Sequence, residues 1–278
     1  MSTGATEEKV AGHYAQKNLE ERILQALEAG GKPRATLTRE ELSAADEFHV
    51  GQTEATGELA RQMSLAPGMK LLDVGCGIGG PARYFAAVHG CDVTGVDLTE
   101  DFVRTAQALT ERVNKGLSVR FQQASALQLP FADKQFEGAY LLHVGMNLAD
   151  KNRVFAEIGR VLQPGAVFAV YDVMRVGPGE FSFPVPWAGS SEQSFVATRK
   201  EYLEALDQAG FTVETERERR AFAIEFFRKM REQREPQGAN AVNVQLLMGE
   251  SAPQKVANLV DAMQRGVLAP VEMIARRN

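Results

Sequence analysis

A chain of 278 residues suits one large α/β domain or two small ones. With 44% hydrophobic and 24% charged residues it has the balance of a globular protein rather than a disordered or membrane-embedded one. A net charge of -5 excludes a broad electrostatic grip on nucleic acid, and the opening MSTGATEEKV has neither the basic region nor the apolar run of a signal peptide, so a cytoplasmic protein clear of membranes is expected.

Residues 1–50 read as a separate helical segment, in which "EERILQALEAGG" has apolar residues near helical spacing and stops on a glycine pair. Residues 51–278 read as one domain. It opens with a helix over "GQTEATGELARQMSL" and a turn at Pro67 and Gly68. From Lys70 the strand candidates are "KLLDV", "DVTGVD", "VRFQQA", "GAYLLHV" and "AVFAVYDV". Between them lie helices over "PARYFAAVHG", "EDFVRTAQALTERVNK" and "KNRVFAEIGRVL". Alternation of this kind predicts an α/β, Rossmann-like, doubly wound sheet with helices on both faces.

Thr99 is the expected N-cap of the "EDFVRTAQ" helix, and Thr198, three residues before Glu201, that of "RKEYLEALDQAG". "FTVETERE" reads as a further strand, followed by a charged helix around "AIEFFRKMREQRE" and then a closing helix and strand. The charge run from Glu214 to Glu235 reads as a solvated face. Residues 174–198 form an insertion after the fifth strand. Cys76 and Cys91 read as small buried side chains, and the histidines at 13, 49, 89 and 143 lack metal-ligand spacing, so no metal is expected.

The stretch "LLDVGCGIGGPARYFA" places Gly75, Gly77 and Gly79 just after the first strand, where glycines allow a tight turn and close approach of backbone to a ligand. Asp97 follows Gly77 by 20 residues, at the end of the second strand, where a carboxylate accepts ribose hydroxyls. These features fit NAD and S-adenosylmethionine alike. Asp73 separates them, because a carboxylate at the turn opposes a pyrophosphate but suits the cationic amino-acid end of S-adenosylmethionine. No Lys-Ser/Thr follows the glycines, which excludes a P-loop, and Tyr140 is followed by His143 and Val144 rather than by a dehydrogenase Tyr-x-x-x-Lys pair. His143, at the end of the fourth strand, faces the crevice and is the candidate general base.

Taken together, "LLDVGCGIGG", "VTGVDLTE" and "ASALQLPFADKQFEGAYLLHV" resemble the core of class I S-adenosylmethionine-dependent methyltransferases. That resemblance implies a mostly parallel seven-stranded sheet and S-adenosyl-L-methionine as cofactor, leaving as S-adenosyl-L-homocysteine. "DEFHVGQTEAT", "LDVGCGIGGPARY" and "FPVPWA" are similar to the sarcosine and dimethylglycine N-methyltransferase branch. The resemblance assigns Asp73, Gly75, Cys76, Gly77 and Gly79 to the amino-acid end of the donor, Asp97 to its ribose, and Leu98 with Ser125, Ala126 and Leu127 to its adenine. Ser125 stands where related sequences often carry an acidic contact to the adenine amine. His143 touches donor or acceptor.

The expected acceptor is a small molecule, an amine such as sarcosine or dimethylglycine. The alternatives are O- or C-methylation of a quinone, sterol or other natural product, or an NAD-dependent oxidoreductase. Tyr14, His49 and Trp187 are the expected acceptor residues, since aromatic faces hold a quaternary amine by cation–π attraction. Residues 1–50 are expected to close over the site as a lid. The sequence leaves the oligomeric state open, with a homodimer compatible.

Overall fold

The computed structural model describes residues 3–14, 18–32, 34, 37–113, 116–234 and 248–278. The rest of the N-terminal segment and the final Glu235 of the expected charged helix lie outside these. Among the described residues the strands are β1 (Lys70–Val74), β2 (Asp92–Asp97), β3 (Val119–Gln123), β4 (Phe136–Leu142), β5 (Leu162–Arg175), β6 (Phe211–Glu218) and β7 (Leu268–Arg277). They form one seven-stranded sheet in the order β3-β2-β1-β4-β5-β7-β6. The pairs from β3 to β5 are parallel, and β7 runs antiparallel between β5 and β6. Strand order reverses at β1, where Asp73 is level with Gly95 of β2 on one side and Tyr140 of β4 on the other. The ligand crevice of a doubly wound sheet lies at the carboxyl ends of its strands at such a point.

Alternation along the strands builds two cores, because successive side chains point to opposite faces. Leu71, Val93, Tyr140 and Tyr171 pack on one face with Phe85, from α5 (Gly80–His89), and Leu59, from α4 (Gln52–Gln62). Leu72, Val96, Leu141 and Val170 pack on the other with Phe155 and Ile158 of α7 (Lys151–Val161) and Leu206 of α8 (Arg199–Gln208). Asp150 caps α7 by accepting the Arg153 N–H at 3.0 Å. Thr198 and Glu201 form a reciprocal capping box at α8. At α6 (Glu100–Val113) the Thr99 carbonyl receives the Phe102 and Val103 N–H groups.

Of the N-terminal helices, α1 (Thr3–Tyr14) lines the crevice at the carboxyl ends of the strands, while α2 (Leu19–Ala29) packs on α6 and α3 (Arg39–Asp46) on α5. Leu19, Ile23, Leu24 and Leu27 form the apolar stripe of α2 and pack with Leu42 of α3 against Phe102 and Leu109 of α6 and Ile78 of the glycine turn. Full burial of each such side chain is worth about 1.5–3 kcal/mol. A buried ion pair pins the end of α3: Arg83 Nη2 donates to Asp46 Oδ2 and to the Ile78 carbonyl, each at 2.7 Å. Across the molecule, Val185, Trp187 and Ala188 of the insertion pack with α9 (Arg220–Arg234) and α10 (Ala252–Gln264). No helix among the described residues is long and apolar enough to cross a membrane.

The charge run from Glu214 is not only a solvated face. Arg219 is 5% exposed and bridges Glu58 and the buried Glu272, while the Phe226 and Phe227 side chains pack inward against the insertion. Chain connectivity does not display this, because Glu58 and Glu272 reach Arg219 only through the folded sheet.

Candidate active site

A cavity of about 780 Å³ opens at the carboxyl ends of β1, β2 and β4. At its centre the Gly75 and Cys76 N–H groups both donate to the Val96 carbonyl, at 2.8 and 2.9 Å, which folds the turn back onto β2. Gly75 takes φ +77, and a Cβ there would stand 2.4 Å from the Val144 side chain, so no larger residue fits. The Gly77 N–H donates to Asp97 Oδ2 and the Thr99 N–H to Asp97 Oδ1, both at 2.9 Å. Asp97 is thereby fixed, with lone pairs to spare for two hydroxyls.

Asp73 is 2% exposed, and its Oδ2 has no hydrogen-bond partner. Burial pushes its carboxyl up to about 8, opposed by the nearby Tyr140 hydroxyl and reinforced by the Asp97 charge. A buried carboxyl with one oxygen unpartnered beside a glycine turn is matched by a cation and opposed by a phosphate. That arrangement fits the amino-acid end of S-adenosylmethionine.

Asp73, Gly75, Cys76, Gly77, Asp97, Leu98, Ala126, Leu127 and His143 all line the cavity, with Tyr14 and His49 from the N-terminal segment. Gly79 and Ser125 stand behind its wall. A Cβ on Gly79 would strike the Phe121 ring, so that glycine serves packing of the turn against β3. The Ser125 hydroxyl is turned to Glu7 of α1, and it is Glu7 that faces the cavity.

A second cavity, of about 350 Å³, adjoins the first. Tyr14, Phe48, His49 and His143 belong to both walls. The rest of the second wall is mainly apolar, with Met146, Trp187, Phe226, Phe227, Leu259 and Val260 prominent. Arg231 is the one cationic lysine or arginine side chain among its described residues. Trp187 therefore belongs to this cavity alone, with its indole N–H donating to Ser194 Oγ at 2.9 Å.

At the junction the His49 and His143 ring centroids are 6.0 Å apart, with Tyr171 behind both. His143 lies one residue beyond β4, at φ +55, held by its N–H to the Tyr171 carbonyl at 2.7 Å. Its Nε2 is buried without a partner, and burial holds the imidazole well below its ordinary range. His49 Nε2 is 3.1 Å from the Gln52 carbonyl, which only accepts, so this nitrogen carries the ring proton and Nδ1 keeps its lone pair. Thr56 Oγ1 stands 3.0 Å from the same nitrogen and donates to Glu47 Oε2 at 2.7 Å. Burial lowers His49 to about 4 and raises Glu47 to about 8. The Tyr14 hydroxyl donates to Asn147 Oδ1 at 3.3 Å.

Sequence reading passed over Glu7, Glu47, Phe48, Thr56 and Asn147. Glu47 and Phe48 lie in "DEFHVG", whose likeness to related sequences was the available signal. Nothing in the local sequence marks Glu7. Among the described residues no group of three His, Cys, Asp or Glu side chains is arranged to hold a metal ion.

Residues 72–170 match a family model described as a methyltransferase domain. Over 114 residues the chain is 38% identical to a sterol 24-C-methyltransferase of Gibberella zeae, an alignment covering 41% of this chain and 30% of that relative's length. The structure is similar to geranyl diphosphate C-methyltransferase from Streptomyces coelicolor, with a TM-score of 0.69 at 17% identity over 98% of each chain. It is also similar to a sarcosine dimethylglycine methyltransferase-like protein from Galdieria sulphuraria, with a TM-score of 0.64 at 18% identity over 81% of this chain and 85% of that one. Residues 72–170 thus resemble a methyltransferase domain, and the chain has the fold of class I S-adenosylmethionine-dependent methyltransferases.

Proposed function

We propose that the protein transfers a methyl group from S-adenosylmethionine to a largely apolar small molecule seated in the second cavity, at a carbon or oxygen atom. The observation carrying this reading is the shared wall: Tyr14, Phe48, His49 and His143 separate a polar crevice with two carboxylates from a pocket lined by aromatic and aliphatic side chains.

The donor, when bound, supplies a methyl group activated by its sulfonium. Asp73 meets the donor's ammonium group, Asp97 accepts from the ribose hydroxyls, and Leu98 packs on the adenine. The chain's main contribution is positioning, and holding two reactants in near-attack geometry removes about 7–11 kcal/mol from a barrier. The apolar walls seat the acceptor and exclude water. When the attacking atom is a hydroxyl oxygen, a junction imidazole is the acceptor for its proton: both rings are neutral at neutral pH, and because burial disfavours the imidazolium the proton is passed on rather than kept.

An amine acceptor such as sarcosine or dimethylglycine is the second reading. Tyr14 and Trp187 favour it, offering aromatic faces to a cation, with Arg231 available to a carboxylate. The apolar wall leaves a small zwitterion with few other partners.

Titration calorimetry with S-adenosylmethionine, S-adenosylhomocysteine and NADH tests the donor. Heat with the first two and none with NADH is expected, and binding of NADH alone overturns the reading. A mass-spectrometric screen for addition of one methyl group then compares terpenoid alcohols, sterols and quinols with sarcosine and dimethylglycine. Turnover confined to the two amines overturns the apolar acceptor and leaves the donor standing.

A further inference from the structure

The donor cavity ends on an acceptor group that does not come from the sheet. Beyond Asp97 it continues between Leu98 and Phe102 on one side and Ala126 and Leu127 on the other, and Thr6, Glu7 and Val10 of α1 close it. Ser125 directs this closure. Its Oγ accepts the Leu127 N–H at 3.0 Å and donates its one proton to Glu7 Oε1. With that proton committed, Ser125 is a bracket for the Glu7 carboxylate, and Glu7 Oε2 remains to accept from a ligand.

A donor with its ammonium at Asp73 and its ribose at Asp97 extends its adenine toward this end. The exocyclic amine of adenine presents N–H donors, and a carboxylate held by a hydroxyl is a matched acceptor for one of them. We propose that Glu7, carried on α1 and aimed by Ser125, accepts a hydrogen bond from the adenine amine of the donor, so that donor binding tightens the seating of the N-terminal helix. This inference rests on the donor proposed above.

The contact ties a residue far from the sheet in sequence to the cofactor. It also gives the adenine a share in holding α1 in the place the structure shows, since an amine and the Ser125 hydroxyl together supply what a half-buried carboxylate loses from water. Tyr14, at the other end of the same helix, lines both cavities, so seating α1 also completes the wall that meets the acceptor.

The test compares S-adenosylhomocysteine with S-inosylhomocysteine, in which a carbonyl oxygen replaces the amine, by calorimetry on the full-length protein. The native chain should bind the inosyl compound at least tenfold more weakly, because a carbonyl then faces a carboxylate. Glu7→Gln should weaken S-adenosylhomocysteine about fivefold to tenfold and narrow the preference to under threefold, since an amide donates to that carbonyl. Ser125→Ala should fall between. Hydrogen exchange should show residues 3–14 gaining protection with S-adenosylhomocysteine in the native chain and much less in Glu7→Gln.

Unchanged affinity and preference in Glu7→Gln would overturn the contact while leaving the donor intact. Failure of the native chain to bind S-adenosylhomocysteine would instead remove the proposed donor, and this contact with it.

Discussion

Gly77 and Asp97 are joined by a 2.9 Å hydrogen bond from the turn N–H to the carboxylate, so the loop after β1 and the end of β2 form one rigid cradle. The other carboxylate oxygen receives the Thr99 N–H. Asp97→Ala therefore removes both the proposed ribose acceptor and the brace of the turn, and S-adenosylmethionine affinity should fall about 100-fold. Asp97→Asn retains one acceptor oxygen and should lose about tenfold. Each hydrogen bond to a charged group contributes about 1.5–3 kcal/mol, consistent with steps of that size. Calorimetry reads both.

Donor binding should release a proton. Burial holds Asp73 up at about 8, so near neutral pH the free protein keeps it largely protonated, whereas an ammonium against it favours the carboxylate. Affinity should rise from pH 6 toward pH 8 and turn over as the donor's own amine, with an ordinary value of about 7.7–8.0, deprotonates. Without donor, the raised value stabilises the fold fully below about 4, the unfolded carboxyl value, and that stabilisation is lost as pH rises through about 8. Calorimetry in buffers of different ionisation enthalpy measures the released proton, and Asp73→Asn should abolish it.

The junction histidine His49 should be a fixed tautomer. Nitrogen-15 spectra of histidine-labelled protein should show its Nε2 protonated and its Nδ1 bare, because the Gln52 carbonyl only accepts. If the acceptor reacts through a hydroxyl, His49→Ala or His143→Ala should lower kcat by about 10²-fold, the lower end of general-base effects. Glu47→Gln should leave the KM for donor unchanged and shift the pH–rate profile. A hydroxyl-bearing acceptor turned over by both histidine variants as fast as by the native protein would refute the proton-accepting role.

Arg83 and Asp46 are both fully buried and hold α3 against the glycine turn. Arg83→Met leaves a buried carboxylate without its partner and should cost about 3–5 kcal/mol in urea denaturation. Burial already raises Asp46, with Arg83 offsetting it, so the variant should also take up a proton at Asp46. Pairing it with Asp46→Leu should recover most of the loss, since an apolar pair replaces the ions.

Filling the second cavity should separate its role from the first. Val256 lines it from α10 and takes no part in the donor wall. Val256→Trp should leave S-adenosylhomocysteine affinity within about twofold while reducing kcat/KM for an apolar acceptor by about 10²-fold. Tyr14, Phe48, His49 and His143 are common to both walls, but Val256 touches the second alone, so the effect of filling there should stay local. Equal losses in both measurements would mean that the two cavities act as one.

Much of the donor crevice was legible before folding because it is built from consecutive residues. Alternating apolar runs located β1, β2 and β6 to the residue, and the glycine turn follows β1 directly. β4 ended two residues early, at Leu142 rather than Val144, because His143 adopts a left-handed backbone that no strand pattern announces. Asp97 was found at its spacing because the βαβ connection makes that distance nearly constant. Gly79 and Ser125 share the stretches of lining residues, yet Gly79 abuts the Phe121 ring and the Ser125 hydroxyl is turned to Glu7.

The sequence by itself determined the sheet, its switch point and the carboxylates beside the glycine turn, since these depend on local periodicity and on short connections. Only the tertiary structure decided what closes the site. Glu7 meets Ser125 across 118 positions, Tyr14 meets Asn147 across 133, and the apolar wall draws Trp187 beside Phe226 and Leu259. Those contacts arise when separate amphipathic elements bury their faces on one another, and a linear pattern records each face without naming the partner that covers it.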